Sequence, residues 1–182
     1  MVLPHVSTFA FDIETTSVLY YATLIFSSSQ LTKPYKAITK VSFPGFYQFS
    51  GVQHNRLHNP FLKMAAQLPS LKELTFTMHT AGTTTSALGE RQMITLESTD
   101  PERARERVNM SLEEVVRRYE LHGLFGCRGL RRVCIEYIDC QRTASFTGIS
   151  HPVNLIRQIH TFLINGFALN GIHVVVELVR VA

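Results

Sequence analysis

Three segments of the chain share one apolar pattern, and that pattern limits what the chain can fold into. They are Ile38-Thr-Lys-Val41-Ser-Phe43, Leu71-Lys-Glu-Leu74-Thr-Phe76 and Leu130-Arg-Arg-Val133-Cys-Ile135. In each, an apolar corner and two polar or charged residues precede an apolar, small, apolar triplet, which is typical of a short strand with one face on a core. Their starts are 33 and 59 residues apart. The chain is therefore predicted to repeat a strand-forming unit at irregular spacing.

Helical patterns lie between these predicted strands. Asn59-Pro60 provides a cap and a first-turn proline, and apolar residues then follow at helical spacing until Pro69. Asp100-Pro101 begins a second, longer pattern with Val108, Leu112, Val115 and Tyr119 on one face, which predicts a continuous helix up to Gly123.

The last part of the chain repeats the order of helix and strand. The stretch from Pro152 to Asn165 predicts an amphipathic helix, with Gly166 suited to a left-handed cap. The β-branched run from Ile172 to Val179 predicts a buried strand, and Met93 to Leu96 a short extra strand.

The N-terminal part adds one further strand and helix. Phe9 to Asp12 is predicted as a strand and Thr16 to Phe26 as a helix. Alternation of strands and helices predicts an α/β fold with a largely parallel sheet, and no stretch of residues 1–182 has the composition of a linker, so a single domain is expected. Two architectures fit this order: a short leucine-rich-repeat-like arc with all helices on one side, and a doubly wound open sheet.

The segments FAFD, AITKVSFPGFYQF, NPFLKMAAQLPSLKELTFTMHTAG and GLRRVCIEY together carry a resemblance to a protein family. In their general sequence character, without a diagnostic motif, they resemble fungal proteins in which an F-box-like N-terminus precedes irregular leucine-rich-repeat-like β/α units. The resemblance implies an interaction scaffold without cofactor or catalysis. Too few residues precede Val6 to form an F-box, so the ubiquitin-ligase adaptor role that the family implies is not expected here.

The stretch FDIETTS, residues 11–17, raises an enzymatic alternative. An Asp-x-Glu pair in a strand opens the signature of metal-dependent 3′–5′ exonucleases of the DEDD type, which hold two cations with four carboxylates. The chain offers Asp12, Glu14, Asp100 and Asp139 as that set. The contexts of Asp100 and Asp139 differ from the later motifs, and Asp100 is explained as a helix cap, so we favour a strand end followed by a cap for FDIETTS.

Aromatic residues after the first repeated strand suggest a binding surface. In Phe43-Pro-Gly-Phe46-Tyr47-Gln-Phe49 four rings fall within seven residues, and they either cover the core or contact a protein partner. His79 ends the second repeated strand, at the edge of the sheet where α/β proteins place their ligands. We therefore predict a contact edge that includes residues 44–47 and 79–83, with Phe46, Tyr47, Phe49 and His79 as binding residues.

Composition excludes several classes of function. The net charge of +4 comes from basic residues scattered singly, so nucleic-acid binding is not expected. No apolar run is long enough for a membrane span, and no secretory leader is recognisable, so a cytoplasmic or nuclear location is predicted. Cys127, Cys134 and Cys140 form no Cys-x-x-Cys pair, and Cys134 is expected in the core. We expect no metal or other cofactor, and a homodimer through edge strands.

Overall fold

The computed structural model describes residue 36 and residues 38–51, 59–140 and 150–181. Their main element is a four-stranded parallel sheet in the order β1 (Lys40–Phe43), β2 (Glu73–His79), β5 (Arg132–Ile138) and β6 (Val175–Val181). Two short strands, β3 (Thr84–Ser86) and β4 (Arg107–Asn109), pair as a second, antiparallel sheet. This architecture confirms an α/β fold with a largely parallel sheet.

Five α-helices and three 3-10 helices connect the strands of the described residues. The α-helices are α1 (Pro60–Ala66), α2 (Glu90–Glu97), α3 (Pro101–Ala104), α4 (Leu112–Tyr119) and α5 (Val153–Leu169). The 3-10 helices are Phe46–Gly51, Thr80–Thr83 and Leu121–Gly126. The predicted N-terminal strand and helix, Phe9 to Asp12 and Thr16 to Phe26, lie outside the described residues.

The repeated apolar pattern sets the register of the sheet. Val41 pairs with Leu74 and Leu74 with Val133, and two residues further on the same neighbours are Phe43, Phe76 and Ile135. All six side chains are at most 1% exposed. The apolar corners Ile38, Leu71 and Leu130 are buried as well, so each repeated segment contributes the same three positions to one core.

The helices that share this core connect neighbouring strands. Successive strands of the four-stranded sheet are adjacent, and the right-handed crossovers expected of parallel strands then place the connecting helices on one face. Buried residues of α1, α4 and α5 belong to the same hydrophobic cluster as the inward side chains of the strands. A doubly wound sheet reverses its strand order at a switch point, and the four described strands contain no such reversal.

The prediction of one continuous helix from Asp100 to Gly123 is wrong. Helix α3 ends at Ala104, and the chain then forms β4, where Val108 is 40% exposed. The Arg107 side chain donates from Nε to Thr84 Oγ1 at 2.7 Å and from Nη2 to Thr84 O at 3.0 Å, which fastens β4 to β3. Helix α4 then begins separately, because Ser111 and Glu114 form a capping box.

Two further predicted elements differ in the structure. Residues 93–96 are part of helix α2, not a strand, and among the helix's residues none is buried. Strand β6 is not a buried strand either, because it is the last in the described sheet and Val175 and Val179 are 62% and 42% exposed. The β-branched sequence therefore predicted that this segment is a strand, but not that the strand lies at the edge of the sheet.

Gly166 does not cap helix α5. The helix continues to Leu169, and the left-handed residue that follows it is Gly171, with φ of 68°. A Cβ at position 166 would lie 2.0 Å from Cζ of Phe125, so the glycine leaves space for that ring. The need for glycine comes from packing against a distant residue and not from the local backbone.

Candidate interaction surface

The side chains that alternate with the core residues form the second face of the sheet, which we call the open face. The strand register aligns these side chains in rows that run across the sheet. The rows include β1 as far as that shorter strand extends. In strand order these residues are Lys40 and Ser42; Glu73, Thr75, Thr77 and His79; Arg132, Cys134, Glu136 and Ile138; and Val175, Glu177, Val179 and Val181. Of these side chains only Thr77 is buried. The open face is therefore mainly polar, and most of its side chains are partly exposed.

Charge on the open face is mostly paired. Lys40 Nζ lies 3.3 Å from Glu73 Oε2, and Arg132 Nη2 donates to Glu177 Oε2 at 2.7 Å. Such exposed ion pairs contribute little to the free energy of unfolding, so the four charged side chains position one another more than they stabilise the fold. Glu136 differs from them, because its Oε2 accepts a hydrogen bond from Thr77 Oγ1 at 3.0 Å and has no basic partner within the described residues.

Cys134 lies on the open face and not in the core. It is half-buried and occupies the same row as Ser42, Thr75 and Glu177. Burial raises the pKa of its thiol, and the carboxylates of Glu136 and Glu177 raise it further. A thiol held in its protonated form is a poor nucleophile, so this position does not suit covalent catalysis.

Tyr47 and His79 meet at the carboxyl edge of the sheet. Their ring centroids are 5.7 Å apart, and both side chains are partly exposed. His79 Nδ1 accepts a hydrogen bond from Ala81 N at 3.1 Å, which places the proton of the neutral ring on Nε2. Burial lowers the pKa of His79, and the nearby carboxylate of Asp139 partly opposes that shift.

The two other predicted binding residues have different places. Phe46 is fully buried and stacks on Tyr119 with ring centroids 5.5 Å apart, so its ring belongs to the core and is not presented to a partner. Phe49 lies in the 3-10 helix Phe46–Gly51, but its side chain is outside the described residues. Of the predicted contact residues, Tyr47 and His79 are therefore the two that the structure brings together at the surface.

The carboxylates of the nuclease alternative occupy different settings. Asp100 Oδ1 accepts from Arg103 N at 3.1 Å, which confirms it as the cap of α3, and Asp12 and Glu14 lie outside the described residues. Asp139 follows β5, with Oδ2 3.4 Å from Arg180 Nη2 and Oδ1 4.0 Å from His151 Nε2. Among the described residues, no three His, Cys, Asp or Glu side chains are grouped so that they could hold a metal ion.

A groove of about 950 Å³ lies on the helical side of the molecule. Leu62, Ala66, Val116 and Phe162 provide its apolar walls, and charged residues of α1 and α4, among them Glu113, lie around it. It is separate from the open face, since its lining comes from the helices and the 3-10 helix Leu121–Gly126. Within the described ranges, no helix has the length and apolar character that a membrane span requires.

The open face could be found only in part from the sequence. Arg132, Cys134 and Glu136 alternate with apolar residues in β5, and that alternation already separates two faces of a strand. The sequence does not say which cation meets which carboxylate, so the lack of a basic partner at Glu136 was not predictable. No protein-family model, curated protein or solved structure matches this chain.

Proposed function

We propose that this protein is a non-catalytic interaction domain that binds a segment of a partner protein across the open face of its sheet. The observation that supports the proposal most directly is Glu136, a carboxylate in the middle of that face without a basic partner in the described part of the chain. An ordered polar surface with one uncompensated charge selects a partner by complementary charge. The partner segment is therefore expected to present a lysine or arginine to Glu136.

The size of the open face indicates how far the partner must extend. Four strands about 4.8 Å apart and up to seven residues of about 3.3 Å each give a face of roughly 400 Å². A stable protein interface buries about 800 Å² on each partner. A partner that binds stably would therefore also contact the carboxyl edge, where the rings of Tyr47 and His79 lie side by side.

Selection from a displayed library of random peptides tests this proposal without a known partner. Peptides that bind the wild-type chain are expected to be rich in Lys and Arg, and to bind Glu136→Lys at least tenfold more weakly. Glu113→Lys is the matched control, because it makes the same charge change on the exposed side of α4 and should leave binding unchanged. Tyr47→Ala should weaken binding by a smaller factor.

Two results would overturn the proposal. One is a selection that enriches no peptide above an empty support. The other is a set of peptides that bind wild type and Glu136→Lys equally well, since such peptides would use another surface. Circular dichroism of each variant would establish that the fold is retained.

We further propose a cytoplasmic or nuclear location and a homodimer. The resemblance to fungal F-box-associated, leucine-rich-repeat-like proteins agrees with an interaction scaffold, and Cys127, Cys134 and Cys140 as free thiols suit a reducing compartment such as the cytoplasm or nucleus. A homodimer would use the edge of the sheet and not its open face, so both interfaces can be occupied at once. The exonuclease alternative depends on Asp12 and Glu14, and the binding of divalent cations tests it.

A further inference from the structure

Exposed apolar side chains are concentrated on the last helix and strand. Of the six large hydrophobic residues that are exposed in the described part of the chain, four lie on α5 or β6. They are Ile164, Leu169, Val175 and Val179, with exposures of 41%, 87%, 62% and 42%. The end of a stack of strand-helix units normally carries a polar outer surface. On this last unit of the described residues the four apolar side chains flank the sheet edge, two on the open face and two on α5, which favours a contact between this edge and another protein surface.

The backbone of β6 shows which groups are available at this edge. Val175 N donates to Arg131 O at 2.9 Å, so odd-numbered residues of β6 direct their backbone groups towards β5. Val176, Leu178 and Arg180 therefore direct theirs away from the sheet. Val176 O accepts a hydrogen bond from His160 Nε2 at 3.0 Å, so a side chain of α5 already occupies the first outward carbonyl.

The N–H and C=O groups of Leu178 and Arg180 remain at this edge. Within the described residues they have no strand partner, since β6 pairs with β5 alone. Four neighbouring unpaired backbone groups on an edge strand are a template for a further strand. Ile164 lies four residues after His160 on α5, hence on the helix face that reaches over this edge.

We propose that a second copy of this chain pairs with this edge, antiparallel, with the two-fold axis at Val179. In this register Leu178 of each copy is opposite Arg180 of the other, so the four free groups on each copy all form hydrogen bonds. Val179 meets its own counterpart on the open-face side, and Glu177 is opposite Val181. No two like charges are opposed, which makes β6 complementary to itself.

The neighbouring registers fit less well. Only pairings centred on a residue keep the open faces of both copies on the same side, because side chains alternate along a strand. A centre at Glu177 places two carboxylates directly opposite each other. A centre at Leu178 uses the carbonyl of Val176, which His160 already occupies, and leaves Val179 without a symmetric contact.

Oligomeric state measured over a concentration series tests the interface and its register together. Sedimentation velocity of the wild type is expected to show a monomer–dimer equilibrium. The series should extend to about 1 mM, because a small interface binds weakly. Val179→Asp places two carboxylates together at the two-fold axis, each beside Glu136 of its own copy, and should reduce the dimer association constant at least tenfold. Val175→Asp is the matched control, because it is on the same face of the same strand but outside the paired stretch, and it should leave the association constant unchanged.

Oxidative cross-linking gives a second measurement of the register. Val179→Cys should form a disulfide between two copies on mild oxidation, since directly opposed residues of a non-hydrogen-bonded antiparallel pair have close Cβ atoms. Val175→Cys contains the same three native cysteines and should not form this disulfide. A wild type that stays monomeric throughout the series, a dimer that Val179→Asp does not weaken, or one that Val175→Asp weakens equally would overturn the proposal.

Discussion

Asn59 joins the start of α1 to the end of α4, and its replacement tests how the helical layer is held together. The side chain is 1% exposed, and its Oδ1 accepts from Phe61 N at 3.0 Å and from Leu62 N at 3.3 Å. Its Nδ2 donates to Tyr119 O at 2.8 Å. Asn59 is thus both the cap predicted from the sequence and a tertiary contact between two helices.

The cost of Asn59→Ala follows from these two roles. Loss of a helix cap costs about 1 kcal/mol. The carbonyl of Tyr119 also loses one buried donor, and removal of one partner from a buried hydrogen bond costs about 1–3 kcal/mol. The free energy of unfolding should therefore fall by about 2–4 kcal/mol, which corresponds to a decrease in Tm of about 5–15 °C for a chain of this size.

Urea unfolding followed by circular dichroism measures this difference, and Asp100→Ala provides the comparison. Asp100 caps α3 through Arg103 N but is exposed, so its loss should cost about 1 kcal/mol or less. Asn59→Ser keeps a capping oxygen without the Nδ2 donor and should fall between the two. The reasoning fails if Asn59→Ala costs no more than Asp100→Ala with an unchanged m-value.

Three further predictions concern packing, pH and metal ions. Gly166→Ala should lower the free energy of unfolding by about 1–3 kcal/mol because the new methyl group meets the ring of Phe125; Gly126→Ala, with nothing within 4 Å of the added Cβ, should change it little, and equal effects would contradict the explanation. Because burial lowers the pKa of His79 from 6.5, the native state binds fewer protons there than the unfolded chain, so its contribution to stability is present above pH 6.5 and is lost as the pH falls through the native pKa. Unfolding measured between about pH 7 and pH 5 should show a shallower loss in His79→Asn than in wild type, and identical slopes would exclude His79 as a source. Addition of Mn²⁺ or Mg²⁺ is expected to leave the Tm unchanged, whereas a rise that disappears in Asp12→Ala would favour the exonuclease alternative.

The parts of the fold that the sequence predicted depend on local patterns. The three repeated segments identified β1, β2 and β5 because burial of one strand face leaves alternating apolar positions, and the same positions then set the register. The caps Asn59 and Asp100 were predicted for a similar reason, since a helix N-terminus needs an acceptor within its first turn.

The features that the sequence did not reveal depend on distant partners. Gly166 has a good local explanation as a cap, but Phe125, 41 residues earlier, determines its role. The helix predicted from Asp100 to Gly123 is interrupted because β4 pairs with β3, about 23 residues earlier in the chain. Tyr47 and His79 were predicted for one edge from the parallel order of their strands, whereas the burial of Phe46 depends on Tyr119 of α4, which nothing near Phe46 indicates.

The two proposed interfaces lie on the same sheet and have consequences for each other. A two-fold axis at Val179 would place the open faces of both copies side by side on one continuous sheet, each with its own Glu136. A surface that carries many copies of a selected peptide would then bind the dimer at two points, which raises apparent affinity without any new contact. Dilution to concentrations at which the dimer dissociates should therefore weaken binding to such a surface, while the affinity for the same peptide in solution is unchanged. Glu136→Lys should weaken both, and leave the dimer association constant as it is in wild type. If the affinity for the soluble peptide also falls on dilution, the two surfaces are one, and the edge and the open face do not act separately.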